Sequence, residues 1–366
     1  MAIEEKQYII INKNLLLDMV NTAVRIINKK SPIFDLKNIY ILFRNNILQI
    51  CSTDIDNYII INNVTSGSEL DLCVTGNIIL PIIKQLNDEV ILEKVNNNLI
   101  IKDKFGEFSI KYSNSNGFPK KIIDNSILTN ILTIDALVFN KLLKSILINV
   151  TEEDFGICRF TINNNILNIV INDRKRLSFV NHNLTEDNTY TNTEIILNYK
   201  TIVELTNTLS GNLAIKQHNN EIIFEYQNYT LISRIINSKH IVDYTKFMNL
   251  GQSCCKVNVK EFIKAVQRSL IMSQIISKIV YLNFQNNNLE VCGIDISVGK
   301  SVVNIPITGN LNSNITVNGS FLLNVLSCIQ MEECTIYLES INSPMVIHGE
   351  GFHVLMPIKI SRGFNV

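Results

Sequence analysis

Apolar residues recur along the chain on two alternating periods, and the whole alternation returns three times. Leu16, Met19, Val20 and Val24 fall at i, i+3, i+4 and i+8, the spacing of one face of an amphipathic helix. Phe139, Leu142, Leu143 and Leu147 repeat that spacing, and so do Phe262, Ala265, Val266 and Leu270. Asn12, Asp135 and Asn258 precede the three runs as N-caps, in steps of 123 and 123 residues. Their side chains can accept from the free N–H groups of a first helical turn.

Period-two runs come after each helix and predict strands. Ile39 to Phe43 leads through Asn45-Asn46 into Ile47 to Ile50, and Arg159 to Ile162 leads through Asn163, Asn164 and Asn165 into Ile166 to Ile171. Val280 to Phe284 leads through Asn286, Asn287 and Asn288 into Leu289 to Cys292. Asn tolerates positive φ, so these are read as hairpin turns. The second hairpin strands end at Asp54, Asp173 and Asp295, in steps of 119 and 122 residues. That period exceeds a solenoid repeat and matches a small domain.

A further strand comes next in each copy, around Ile60, Phe179 and Val303. Second helices are predicted over 77–86, 198–209 and 318–329, and three closing strands per copy end near Lys111, Arg234 and Met356. Polar and turn residues mark joins near 117–126 and 238–252. The expectation is an α+β chain of three tandem similar domains, 1–127, 128–253 and 254–366, each with two helices packed on antiparallel sheets.

Composition narrows the function classes. Of 366 residues, 46% are hydrophobic and 18% charged, which supplies real cores and argues against disorder. The net charge of +0 excludes attraction to nucleic acid by the whole surface but permits a local basic stripe. No apolar run is long enough to span a membrane, and the N-terminus lacks a signal-peptide pattern, so a cytoplasmic protein is expected. The eight Cys are scattered without a CxxC pair, and are read as reduced, buried thiols.

The search for chemistry is negative. No phosphate-binding glycine loop is present, and no two of the five His stand at i+3 or i+4. Glu152, Glu153 and Asp154 read as a charged loop end rather than a metal site. No catalytic residue, metal or cofactor is assigned. Three similar units without an active-site signature point to a scaffold, and units joined head to tail either close into a ring or run on as a filament. A ring with its helices inward would turn their basic residues toward a common axis.

Three features together resemble the bacterial DNA polymerase III beta subunit family, the sliding clamps. They are the triplicated unit, the run Asn172-Asp173-Arg174-Lys175-Arg176-Leu177, and the closing run His353-Val354-Leu355-Met356-Pro357-Ile358-Lys359-Ile360. Gly117-Phe118-Pro119 and Ser343-Pro344 fit as well. The resemblance covers essentially the whole chain. It implies the DNA clamp fold, a head-to-tail homodimer forming a ring around duplex DNA without sequence specificity, and a non-catalytic processivity role in DNA replication. It also implies partners: the replicative polymerase subunit, a clamp loader complex, and other clamp-binding repair and replication proteins, with no membrane.

Carried over by position, the resemblance implies a peptide-binding groove at Phe155, Asn172, Arg174, Lys175, Arg176, Leu177, Val242, Phe247, Phe321, Ser343, Val354 and Met356. Arg174 stands where the family usually has Gly, Lys175 where it often has His, and Val242 where it usually has Pro, so a bulky charged side chain is expected to narrow the groove or change which peptides fit. Each apolar anchor buried there contributes roughly 1.5–3 kcal/mol. That suits a transient partner of micromolar affinity, about −8 kcal/mol. DNA-facing candidates are Arg25, Lys29, Lys30, Lys84, Lys141, Lys144, Lys200, Lys264 and Arg268. Dimer-contact candidates are Phe108 and Ile110 on one side, Ile271 and Met272 on the other. Residues 361–366 run past the family's usual end. The alternatives are a repeated β-rich adhesive scaffold and a hydrolase using Cys or an acidic pair.

Overall fold

The computed structural model describes residues 7–29, 31–147, 156–173, 175–184, 192–208, 211–237, 243–248, 251, 253–273, 278–295 and 297–358. Lys30, Phe155, Arg174, Val242, the acidic run at 152–154 and the tail at 361–366 lie outside them.

One order of elements occurs three times, with one short extra strand, Ser66–Gly67, in the first copy. The first copy comprises β1 (Gln7–Asn12), α1 (Lys13–Ile26), β2 (Asn38–Arg44), β3 (Ile47–Thr53), β4 (Asn57–Val64), β5 (Ser66–Gly67), β6 (Leu70–Thr75), α2 (Gly76–Gln85), β7 (Glu89–Val95), β8 (Asn98–Lys102) and β9 (Glu107–Lys111). In the second come β10 (Thr129–Asp135), α3 (Ala136–Ile146), β11 (Ile157–Asn163), β12 (Ile166–Asn172), β13 (Arg176–Asn183), β14 (Thr193–Asn198), α4 (Tyr199–Thr208), β15 (Asn212–His218), β16 (Glu221–Tyr226) and β17 (Tyr229–Arg234). The third holds β18 (Cys254–Asn258), α5 (Val259–Ile271), β19 (Ile279–Gln285), β20 (Asn288–Asp295), β21 (Gly299–Gly309), β22 (Ser313–Asn318), α6 (Gly319–Cys328), β23 (Glu333–Tyr337), β24 (Met345–His348) and β25 (Phe352–Leu355).

The local chemistry explains the repetition. Asn12 Oδ1 accepts from the backbone N–H of Asn14 and Leu15, Asn258 Oδ1 from that of Glu261, and Asn318 Oδ1 from those of Ser320 and Phe321. Asn45 and Asn46, Asn164 and Asn165, and Asn286 and Asn287 all have positive φ between 49° and 61°. Two successive left-handed residues give the hairpin turn whose twist matches its strands. Leu16, Met19 and Val20 of α1, Phe139 and Leu143 of α3, and Phe262, Ala265 and Val266 of α5 are buried. Gly293 on β20 is required by close packing, because a Cβ there would lie 1.9 Å from the Ser269 carbonyl oxygen of α5.

Two kinds of strand differ from the sequence expectation. Each copy opens on a strand (β1, β10, β18) rather than on its helix, and another strand (β6, β14, β22) immediately precedes the second helix. Both are short apolar runs that end in the residue before the helix, so a helix start absorbs them in a local reading.

The chain divides into two compact units, residues 1–137 with 207–235, and 138–206 with 236–366. In the first unit, one sheet runs β5-β1-β7-β8-β9 and another runs β10-β15-β16-β17-β4-β3-β2-β6. In the second unit, one twelve-stranded sheet runs β14-β11-β12-β13-β25-β24-β23-β18-β21-β20-β19-β22. The strand pairs that cross from one repeat to the next are alike: Ile61 faces Tyr229 where β4 meets β17, and Leu177 faces Val354 where β13 meets β25.

Candidate functional site

At or just past the end of each second hairpin strand stands an Asp that ties the turn after it. Asp54 Oδ1 accepts from the Asn57 N–H at 2.8 Å, and Asp295 Oδ1 from the Ser297 N–H at 2.8 Å. Asp173 goes further. Its Oδ1 accepts from the N–H groups of Lys175 at 3.1 Å and Arg176 at 2.7 Å. Its Oδ2 accepts from Arg176 Nε at 2.8 Å and also from Nη2. Asp173 and Arg176 are both only 2% exposed. The guanidinium also lies 4.2 Å from the ring centroid of Phe321 on α6, and Lys175 Nζ lies 5.6 Å from it. A buried ion pair of this kind holds a turn in one geometry, and losing either partner strands a charge.

Beside this turn is an apolar floor. Leu177 and Val354 pair across β13 and β25 and are 4% and 2% exposed, so they lie beneath the surface rather than forming its walls. With Val170, Phe179, Tyr244 and Val346 they form one cluster, and Phe247 packs against it half-buried. Rings meet in series across it: His348 stacks on Phe352 at 4.1 Å, Phe352 stacks on Phe179 at 4.8 Å, and Tyr244 is tilted against Phe179 at 5.1 Å. Phe247, Tyr337, Ser343, Pro344 and Val346 line a cavity of about 150 Å³. Ser343 Oγ accepts from the Ser340 N–H at 2.8 Å and donates to the Ser340 carbonyl at 2.7 Å, which pins the rim. Met356 stands at the surface, 51% exposed. Asn172, half-buried, closes the β12 side opposite Leu177.

Thus Lys175, Arg176 and Phe321 meet at one place, Leu177, Phe247 and Val354 share one apolar cluster, and Ser343 borders the cavity with Phe247. Tyr244, Tyr337 and Val346 were not singled out from the sequence as site residues. Tyr244 flanks Phe247 in a visible Asp243-Tyr244 run, whereas Tyr337 and Val346 are ordinary alternating strand positions with no local signal.

Both compact units contain buried thiols. Burial pushes the thiols of Cys51, Cys73, Cys255, Cys328 and Cys334 up to about 12, which leaves them protonated and weakly nucleophilic at neutral pH. His353 is fully buried, with Nδ1 2.8 Å from Ser178 Oγ. Burial, helped by the nearby His348, holds its imidazole down at about 3. Among the described residues no group of three His, Cys, Asp or Glu could hold a metal ion, and no helix is long and apolar enough to cross a membrane.

The basic candidates sit on or just beyond the helices. Lys29, Lys84, Lys141, Lys144, Lys200, Lys264 and Arg268 are exposed and Arg25 is half-buried. Phe108 is 41% exposed on β9, an end strand of its sheet, with Ile110 half-buried beside it. Ile271 at the end of α5 is 74% exposed, and Met272 is half-buried.

Comparison with known proteins gives one consistent result. Residues 7–122 match the model of the DNA polymerase III beta subunit N-terminal domain, and residues 250–358 match that of its C-terminal domain. The beta sliding clamp of Rickettsia bellii is 23% identical, over 96% of this chain and 99% of that protein. That of Mycoplasma capricolum is also 23% identical, over 92% and 94%. The solved DNA polymerase III beta subunit of Thermotoga maritima superposes with a TM-score of 0.88 at 17% identity, covering 97% of this chain and 100% of that one. A sliding clamp from Pseudomonas aeruginosa bound to griselimycin gives 0.85 at 18% identity, with 97% and 100% coverage.

Proposed function

The chain belongs to the DNA polymerase III beta subunit family, the beta sliding clamps, and we propose that it works as a homodimeric ring around duplex DNA. One observation carries this reading. The start of β4 is completed by β17, the last strand of the next repeat, and the start of β13 by β25 in the same way. The matching stretch of the third copy is the start of β21, where Gly299, Lys300, Ser301 and Val302 pair with β20. The strand to continue the series is β9, the last strand of the first copy, which pairs with β8 and ends its sheet. Supplied by a second chain, β9 would pair with β21, and the same contact made twice closes six units head to tail. Pairing there gives Phe108 a reason to lie on an edge strand that would otherwise invite aggregation.

In such a ring the candidate phosphate contacts are Arg25, Lys84, Lys141, Lys144, Lys200, Lys264 and Arg268 on the helices and Lys29 just beyond α1, with Lys30 a candidate from the sequence alone. Contacts to phosphate position the duplex without reading its sequence. The protein then acts by topology, as a non-catalytic processivity factor of the cytoplasm, with three domains near 1–127, 128–253 and 254–366. Partner peptides from the polymerase and other replication and repair proteins would lay apolar side chains over the Leu177–Val354 floor, between Phe247, Met356 and the Lys175–Phe321 rim. Loading needs an ATP-driven partner, because the chain carries no phosphate-binding loop.

The test is retention on circular against linearised plasmid in high salt, after treatment with a clamp loader. Salt screens phosphate contacts but leaves an encircling ring in place. Retention on circles with loss from linear ends supports encirclement. Equal retention on both would sink it.

A further inference from the structure

The internal repeat fixes which residues a head-to-tail contact brings together. Thr53, Asn172 and Ile294 stand one residue before the three turn Asp residues, and they face Tyr58, Leu177 and Lys300 across their hairpins. Tyr58 and Leu177 in turn face Ile232 and Val354 of the next repeat. Each of these lies four residues before an N–H that bonds back to the strand ahead of the second helix. Ile236 N–H donates to the Ile196 carbonyl and Ile358 N–H to the Thr316 carbonyl, both at 2.8 Å. The matching N–H of the first repeat is that of Ser113, which donates to the Cys73 carbonyl at 2.8 Å. Four residues before it is Ser109 on β9, so Ser109 of one chain is set opposite Lys300 of a second copy.

The hairpin tip ahead of these strands is held alike in the first and third repeats. Asp103 Oδ2 accepts from the backbone N–H and the Nδ2 of Asn87, just past α2, both at 2.9 Å. Glu350 accepts from the N–H of Gln330, just past α6, at 3.2 Å. Asn87 and Gln330 are matched residues, 243 apart. Tip and helix end thus form one piece, and where the second repeat meets the third that piece rests on the end of α3. Cys328 Sγ donates to the Leu147 carbonyl at 3.0 Å, and a Cβ on Gly351 would lie 2.7 Å from the Ile146 side chain. Gly351 and Gly106 are matched, each seven residues before the returning N–H. Ile146 and Leu147 are matched, in the 123-residue step, by Ser269 and Leu270 near the end of α5.

In the first repeat the tip carries Phe105, next to Gly106 and 73% exposed. Asp103 Oδ1 accepts from the N–H groups of Phe105 at 2.9 Å and Gly106 at 3.0 Å, so the phenyl group stands on a fixed turn. Directly after Leu270, Ile271 ends α5 and is 74% exposed. A preorganised aromatic on one side and a bare aliphatic on the other make the pairing of an interface anchor. We propose that Phe105 is such an anchor: the tip of one chain seats on the end of α5 of a second copy, with Phe105 over Ile271, twice in each ring. The contact presupposes the head-to-tail ring and goes beyond its strand pairing, because the tip lies outside β9.

Phe105→Ala in the full-length chain should raise the dimer dissociation constant at least about tenfold in sedimentation equilibrium. Ile271→Asp, which leaves β9 and its hairpin untouched, should do the same. A mixture of Phe105→Cys chains with Ile271→Cys chains should form an inter-chain disulfide on mild oxidation that neither variant forms alone. A dimer whose constant is unchanged in both of the first two variants, or a mixture that does not cross-link, overturns the anchor and leaves the ring standing. A wild-type chain that stays monomeric at every concentration overturns the ring reading and the anchor with it.

Discussion

The outward faces of the first and second hairpin sheets occupy matched places in their repeats and have been put to different uses. In the first, Phe118 closes over Tyr40, Tyr58, Cys51, Cys73 and strands from the next repeat, giving a sealed aromatic core. In the second, Tyr244 closes over Phe179 and Leu177, but the cover is incomplete: Phe247 and Tyr337 are only half-buried and a cavity of about 150 Å³ remains beside them. The second face also carries the Asp173–Arg176 ion pair under Phe321 in place of a plain Asp turn. One repeat uses the face for stability, and its sister leaves the same face partly open with a cation at its rim. The departure from the repeat, not the repeat itself, marks the candidate binding site.

Breaking the ion pair gives the largest expected effect. Asp173→Ala leaves Arg176 buried without its carboxylate and is expected to cost about 3–5 kcal/mol in urea denaturation. Asp54→Ala, which removes the matched turn bond, should cost only about 1 kcal/mol. Equal losses would mean the two turns do not differ. Acid sharpens the contrast next. The His353 imidazole is held at about 3 against an ordinary 6.5, so its contribution is fully present above 6.5 and is lost as pH falls toward 3. In that window the unfolded chain binds a proton that the native chain does not. Stability should drop by about 2 kcal/mol at about pH 5, and His353→Gln should flatten the profile. An unchanged slope in that variant assigns the acid sensitivity to other groups.

At the open rim, Met356→Ala should weaken a partner peptide by about 1.4 kcal/mol, roughly tenfold in titration calorimetry. Stability should move by no more than about 0.5 kcal/mol, because the side chain is exposed. Unchanged affinity removes Met356 from the groove. The smallest effect is on the helices. Lys264→Glu with Arg268→Glu should lower the salt slope of DNA binding by about 2, roughly 0.9 for each phosphate no longer neutralised. An unaltered slope would take both residues off the DNA-facing surface.

The helices and hairpins were legible because their signals are local. Asn12 and Asn258 announce helix starts, and paired Asn residues announce turns. The pairing of β13 with β25 was not legible, since Leu177 and Val354 are 177 residues apart and each is only one more apolar strand position. The same distance hid their depth: apolar residues expected to receive a ligand's anchors lie buried beneath the surface. Arg176 stands out in the sequence only as one of a basic run, and only the fold reveals its ion pair with Asp173 and its place against Phe321. Tyr337 and Val346 carry no pattern beyond alternation, so no sequence argument selects them.

The hairpin turns have a consequence for how the molecule ages. Among the described residues, eight of the twelve non-glycine positions with positive φ are Asn. Deamidation begins when the backbone nitrogen of the next residue attacks the Asn side chain, and it runs fastest when that residue is Gly. In the three hairpins the next residues are Asn46 and Ile47, Asn165 and Ile166, and Asn287 and Asn288, all with side chains that hinder the attack. These hairpins thus gain their left-handed turns from Asn pairs without the Asn-Gly sequence that would convert them to isoaspartate over a long service life.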